Sequence, residues 1–223
     1  MTIKENCDEV LATVAEAAVA AHRPLESIHL VAVTKYVDSS LAKKIVESGL
    51  NHLGENRVDK FLEKYEALSD LDVAWHFIGS LQRRKVKNVI NLIDYFHALD
   101  SVKLAQEIEK RAEKIIPCFL QVNLSREESK HGFLLEEIED ALVEIQKLKH
   151  IRLVGLMTMA PRSANQEELD NLFSRTDALR KELAGRQIEN MPFTELSMGM
   201  SGDYPLAIAH GATFVRVGSA LFK

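Results

Sequence analysis

Residues 28–35 read IHLVAVTK, and residues 38–49 read DSSLAKKIVESG. The first stretch is a nearly continuous apolar run rich in β-branched residues, the pattern of a strand buried on both faces, as parallel strands are. In the second, Asp38, Ser39 and Ser40 can cap a helix whose apolar positions are Leu41, Ala42, Ile45 and Val46. Gly49 suits the left-handed position after a helix end. This βα unit decides the fold, because the rest of the chain repeats it.

Upstream, Cys7, Val10, Leu11, Val14, Ala17, Ala18 and Ala21 take the i, i+3, i+4, i+7 spacing of one helical face, ended by Pro24. Downstream, the spacing predicts a short strand at 51–54, a helix after Asn56, a strand at 74–78, a helix through 86–93 and a strand at 95–99. Ser101 then caps a helix carrying Leu104, Ala105, Ile108 and Ala112. A strand at 117–122, a helix through Ile138, Ala141, Leu142, Ile145 and Leu148, and a strand at 151–157 follow. A long helix carries Leu169, Leu172, Phe173, Leu179 and Leu183; after it come a strand at 194–197, a helix at 205–210 and a last strand at 213–217.

Regular βα alternation demands a parallel sheet, and eight units leave about 28 residues each, enough for a strand, a helix and two short loops. The expected fold is α/β, a closed (β/α)8 TIM-type barrel with an extra N-terminal helix. An open doubly wound sheet is the competitor, but its first βα turn usually carries a glycine-rich phosphate loop. Here that turn reads TKYVDSS, without glycine. No repeat, low-complexity tract or linker interrupts the alternation, so residues 1–223 are expected to form a single barrel domain.

Composition narrows the function. The chain has 223 residues, 46% hydrophobic and 27% charged, with Lys+Arg 28 against Asp+Glu 33 and a net charge of −5. No global positive field exists to hold nucleic acid or anionic lipid. Cys7 and Cys118 lie far apart without Cys-x-x-Cys spacing, which disfavours a disulfide framework and a zinc site and fits a reducing cytoplasm. The N-terminus is acidic where a signal peptide is basic, and no apolar run reaches membrane-spanning length. A cytoplasmic protein with neither nucleic acid nor membrane as partner is expected.

Barrel sites form at the C-terminal ends of the strands, so polar residues ending apolar runs are the candidates. Val31, Val33 and Lys35 share one face of the first strand. If that face points inward, the Lys35 amine sits at the mouth, where partial desolvation makes it a nucleophile toward an aldehyde. The alternative is a solvated strand-end lysine. After strands seven and eight come SMGMSGDY (197–204) and RVGS (216–219). Ser197, Gly199, Ser201, Gly218 and Ser219 are residue types for a phosphate cup between two loops, or for two tight turns with capping serines. Arg216 shares its strand face with Phe214; inside a barrel it needs an acceptor, a carboxylate or a ligand atom. Asn56 either meets a ligand or caps a helix, and His76 either meets a ligand or is a hydrogen-bonded core histidine. Arg83, Arg84, Lys85 and Lys87 read as a solvated helix face. Met157 and Met159 either pack around a ligand or fill core gaps. No metal-ligand cluster or Ser/His/Asp signature appears.

At AVTKY, HLGENRV, WHFIGSLQ, GLMTMAP and ELSMGMSGDYPLAIAHGATFVRVGSALF, the chain closely resembles the pyridoxal phosphate homeostasis proteins, barrels like the N-terminal domain of alanine racemase. The resemblance runs from the first strand to the last. It implies that Lys35 holds pyridoxal phosphate (PLP) as an internal aldimine, that Ser197, Gly218 and Ser219 contact its phosphate, and that Arg216 faces the pyridine nitrogen. Asn56 and Met200 fall in motif positions that line the cofactor pocket. An arginine there opposes ring protonation and weakens the ring as an electron sink.

Two departures from the racemases bear on activity. The chain ends at Lys223, just after strand eight, so the racemase-type second domain with its opposite base is expected to be absent. The relatives' histidine after the Gly-Leu-Met-Thr segment corresponds to Met159, which transfers no proton. The expected function is PLP homeostasis without appreciable amino-acid turnover, with PLP-requiring apo-enzymes as possible recipients. The alternatives are a PLP-dependent amino-acid enzyme of the racemase class and a Schiff-base aldolase acting on a sugar phosphate.

Overall fold

In the computed structural model, which describes residues 2–125, 127, 131–161 and 163–223, eight strands run in chain order around a closed parallel barrel. They are β1 (His29–Val33), β2 (His52–Glu55), β3 (Ala74–Phe77), β4 (Tyr95–Leu99), β5 (Ile116–Gln121), β6 (Ile151–Met157), β7 (Glu195–Met200) and β8 (Phe214–Val217). β8 pairs with both β7 and β1, which closes the sheet. The outer helices are α1 (Ile3–Ala20), α2 (Ser39–Glu47), α3 (Val58–Ala67), α4 (Val102–Arg111), α5 (Ile138–Ile145), α6 (Gln166–Gly185) and α7 (Tyr204–Ala209).

Local sequence sets the helix ends. Thr2 and Glu5 cap α1 reciprocally, each side chain bonding the other's backbone N–H. Asp38 accepts from Leu41 N at 2.9 Å, and Gly49 leaves α2 at φ 96°. Ser101 caps α4 as expected. α1 stops at Ala20, and the turn beyond it places His22 at φ 53°, so the helix ends before Pro24.

Among the described residues, β8 is followed by a 3-10 turn, Ser219–Phe222. α1 packs against α7, α2 and that turn. Asn6 fastens it by donating to the carbonyls of Leu221 at 3.1 Å and Lys223 at 3.2 Å. The extra N-terminal helix therefore joins the outer ring.

The helix expected through 86–93 is not α-helical. The chain forms a 3-10 helix at Arg83–Asn88 and then turns, while Val86, Val89, Ile90 and Ile93 are all fully buried. Apolar positions three and four apart fit consecutive 3-10 turns as well as one α-helix, so the periodicity did not separate them. Arg83, Arg84 and Lys87 are exposed, the solvated face expected.

Candidate functional site

Phe214 fixes which way β8 faces. Its ring lies 4.6 Å from that of His29, 5.1 Å from Tyr95 and 5.2 Å from Phe119, at the centre of the barrel. Two residues on, Arg216 points to the same interior and is 5% exposed. Among the described residues its acceptors are a hydroxyl and a backbone carbonyl, not a carboxylate. Nη1 donates to Ser197 Oγ at 2.5 Å and Nη2 to the Thr158 carbonyl at 2.9 Å. Burial lowers the guanidinium to about 10, offset in part by the charge of Asp203. Asp203 is itself raised by burial, against the opposing pull of the Met200 N–H bond and of Arg216.

Ser197 is fully buried beside this cation and also bonds His97 Nδ1 at 2.7 Å. The structure thus groups Ser197 with Arg216 and His97, inside the barrel, and corrects the placing of its hydroxyl in the loop cup. The serine of the loops is Ser201, whose Oγ accepts from Gly218 N at 3.1 Å and Ala220 N at 3.4 Å and so ties the β7 loop to the β8 loop. Between Ser197 and Met200, β7 carries one residue more than the facing Phe214–Arg216 segment of β8. That bulge turns on Gly199 at φ 91°, where a Cβ would stand 2.6 Å from the Ala207 Cβ. It also extends β7 beyond the expected 194–197 and sets Met200 opposite Arg216.

Lys35 lies just past β1, whose Val31 and Val33 face inward: a Cβ on Gly54 would meet Val31, and one on Gly218 would meet Val33 at 3.3 Å. It occupies the second position of a turn closed by Val37 N donating to the Thr34 carbonyl at 3.1 Å. The side chain is half-buried, with Nζ 4.9 Å from the centre of the exposed Tyr36 ring. The same Thr34 carbonyl accepts from Lys64 Nζ at 3.0 Å, and Thr34 Oγ1 donates to Glu55 Oε1 at 2.6 Å. Lys64 and Glu55 form a fully buried ion pair at 2.6 Å. A clamp between α3 and β2 therefore holds the turn that carries Lys35.

Asn56, half-buried after β2, does not cap α3; the cap position is Arg57, without a side-chain cap bond. Its backbone lies so close to Gly79 that a Cβ there would come within 2.3 Å of the Asn56 carbonyl oxygen. Met159 is partly buried after β6. His76 is a fully buried core histidine, the second of its two expected roles. Sequence reasoning missed Thr34, Glu55, Lys64, Thr158 and His97. A signal existed for the last: His29, His52, His76 and His97 recur on four successive strands at inward positions.

Sites of this build belong to the (β/α)8 barrels that open toward a ligand at the C-terminal ends of their strands. Within that class, the chain belongs to the family described as the alanine racemase N-terminal domain, whose model matches residues 8–223. The "Pyridoxal phosphate homeostasis protein" of Aquifex aeolicus is 38% identical over 225 residues, covering 100% of this chain and 98% of that one. Its namesake in Pseudomonas aeruginosa is 35% identical over 99% of this chain and 95% of its own. PipY of Synechococcus elongatus, solved with PLP bound, superposes with a TM-score of 0.85 at 32% identity, over the whole of both chains. The alanine racemase of Corynebacterium glutamicum shares the fold at a TM-score of 0.71 and 15% identity, this chain spanning 60% of its length.

Proposed function

We propose that this protein binds pyridoxal phosphate in the mouth bounded by β1, β8 and β7 and serves in PLP homeostasis, holding and releasing the cofactor without appreciable turnover of amino acids. The observation that carries the reading is the pairing of β8 with both neighbours. It puts the Lys35 turn, the interior Arg216 and the Ser201–Gly218 bridge on three adjacent strands. The residues fit the group. Gly218 and Ala220 already present two backbone N–H donors to one oxygen, that of Ser201, and a phosphate oxygen accepts from the same kind of donor. Arg216, donor-only and lowered by burial, meets a pyridine nitrogen as a hydrogen-bond donor.

In this reading Lys35 supplies the amine that condenses with the cofactor aldehyde, Gly218, Ser219 and the Ser201 loop hold the phosphate, and Asn56 and Met200 line the pocket. Pyridoxal phosphate supplies an electrophilic aldehyde and an electron-accepting ring when bound. Met159, after β6, offers no transferable proton, which argues against a second acid–base group there and for a carrier rather than a racemase-type enzyme. PLP-requiring apo-enzymes in the cytoplasm are the recipients this role implies, and the single barrel domain is the unit that serves it.

The test is a transfer assay. Protein loaded with pyridoxal phosphate is mixed with an apo-enzyme that requires it, and separately with each common amino acid. Activation of the apo-enzyme without amino-acid turnover supports the carrier. Sustained turnover at about 1 s⁻¹ or faster would establish the racemase-class alternative instead.

A further inference from the structure

A chain of histidines leads away from Arg216 through the barrel. His97 Nδ1 meets Ser197 Oγ at 2.7 Å, His76 Nδ1 meets His97 Nε2 at 2.9 Å, and His52 Nδ1 meets His76 Nε2 at 2.8 Å. His76 and His97 are fully buried, and His76 stacks on Tyr95 with the planes 3° apart.

Donor and acceptor counting gives this chain a direction. A guanidinium has no acceptor, so Ser197 Oγ must accept from Arg216. The serine has one hydrogen, and of its two partners only His97 Nδ1 can take it. His97 then carries its proton on Nε2 and donates to His76 Nδ1. His76 likewise donates from Nε2 to His52 Nδ1. All three rings are neutral Nε2–H tautomers. The reverse polarity would point His97 Nδ1–H toward the Arg216 side and leave a buried serine hydrogen without either of these partners, at the cost of an unmade bond.

The surrounding charges agree. Burial first, then neighbouring histidines and Arg216, hold His97 well below the usual imidazole range; burial and the rings of His52 and His29 do the same to His76. His52 is lowered by burial and His29, against the pull of Asp94. Glu195 acts on His29 and Tyr95 at the far end.

We propose that His97, His76 and His52 are positioning residues for the Arg216 end of the mouth: their chain takes the Ser197 hydroxyl hydrogen on the His97 side, so that Ser197 Oγ turns its lone pairs to the guanidinium and holds it. Anchored at Nη1 by this serine and at Nη2 by the Thr158 carbonyl, the guanidinium plane is fixed and its remaining N–H groups keep one direction. The inference rests on the PLP reading for the identity of what Arg216 meets, but the tautomer assignment does not.

Two measurements test it. In protein carrying isotope-labelled histidine, long-range nitrogen–proton spectra at neutral pH should show three neutral Nε2–H rings for His52, His76 and His97. A mixed set, or a charged ring among them, would overturn the relay. The second uses His97→Phe, which removes the acceptor for Ser197, and His97→Asn, whose side-chain oxygen replaces Nδ1. His97→Phe should weaken binding of phosphate-free pyridoxal about tenfold and shift the absorption band of bound PLP, and His97→Asn should restore both to within about threefold. Equal loss in the two variants would overturn the positioning role. If a variant does not fold, the tautomer spectrum of the unmodified protein decides. If the unmodified protein binds no PLP, the functional reading fails while that spectrum still judges the relay.

Discussion

Lys64 Nζ lies 2.6 Å from Glu55 Oε1, both side chains fully buried, and the same ammonium holds the Thr34 carbonyl at 3.0 Å. The pair thus holds Thr34, the residue before Lys35, through both its side-chain hydroxyl and its carbonyl. Its burial costs desolvation of two charges; the short contact and the bonds to Thr34 offset part of that cost, while among the described residues Glu55 Oε2 has no hydrogen-bond partner. Removing one partner leaves the other charge buried alone. Lys64→Met should therefore cost about 3–5 kcal/mol in urea unfolding. It should also slow covalent trapping of an aldehyde on Lys35, because the Thr34–Val37 turn loses its anchor. A loss within the range of an ordinary surface substitution, about 0.5 kcal/mol, would show that the clamp carries no load.

Lys35→Ala should leave stability within about 0.5 kcal/mol of the parent, since the half-buried lysine belongs to a turn and not to the core. The covalent link to pyridoxal phosphate should vanish. Borohydride reduction of the loaded parent followed by peptide mapping checks the assignment. The pyridoxyl group recovered on another lysine, such as Lys103, would reassign the attachment.

The loops and the interior separate two serines by function. Ser219→Ala should weaken pyridoxal phosphate about tenfold or more relative to phosphate-free pyridoxal, the worth of a bond to a charged oxygen being about 1.5–3 kcal/mol. Ser197→Ala should weaken both ligands alike, because its hydroxyl bonds Arg216 and His97. Equilibrium titration of the two ligands checks both. A phosphate-selective loss from Ser197→Ala would return that serine to the cup.

Much of this is legible in the sequence. The βα alternation, the caps at Asp38 and Ser101 and the sharing of one strand face by Val31 and Val33 and by Phe214 and Arg216 follow from local patterns and are found in the closed barrel; that those faces point inward is set by closure of the sheet. What escaped were contacts made across the barrel by residues of ambiguous type. Lys64 stands three residues after Phe61 and four before Leu68, on the apolar face of α3, but a lysine among Glu63 and Glu66 reads as part of the solvated face rather than as half of a buried ion pair. The bulge at Gly199 and the 3-10 crossover depend on how the sheet closes, which a periodicity of apolar residues does not encode. Arg216 was expected to need a carboxylate or ligand; its partners, a hydroxyl and a backbone carbonyl, come from β7 and the chain just past β6.

The buried histidines make stability depend on pH in a definite direction. His76 and His97 are held well below the ordinary 6.5 by burial, so the folded state leaves them neutral where the unfolded chain protonates them. Below about pH 6.5 the unfolded state binds more protons, and stability rises with pH there by about 1.4 kcal/mol per pH unit for each such histidine. The contribution is full above the unfolded value and is lost progressively as the pH falls below it. Urea midpoints measured from neutral pH downward should show a steep decline beginning near 6.5, earlier than carboxylate titration alone would give. His76→Phe, which keeps a ring against Tyr95, should remove one histidine's share of the slope while lowering stability at neutral pH through the lost bonds to His52 and His97. A parent whose stability is flat between neutrality and about pH 5 would show that these rings accept protons in place, and the interior described around them would be wrong.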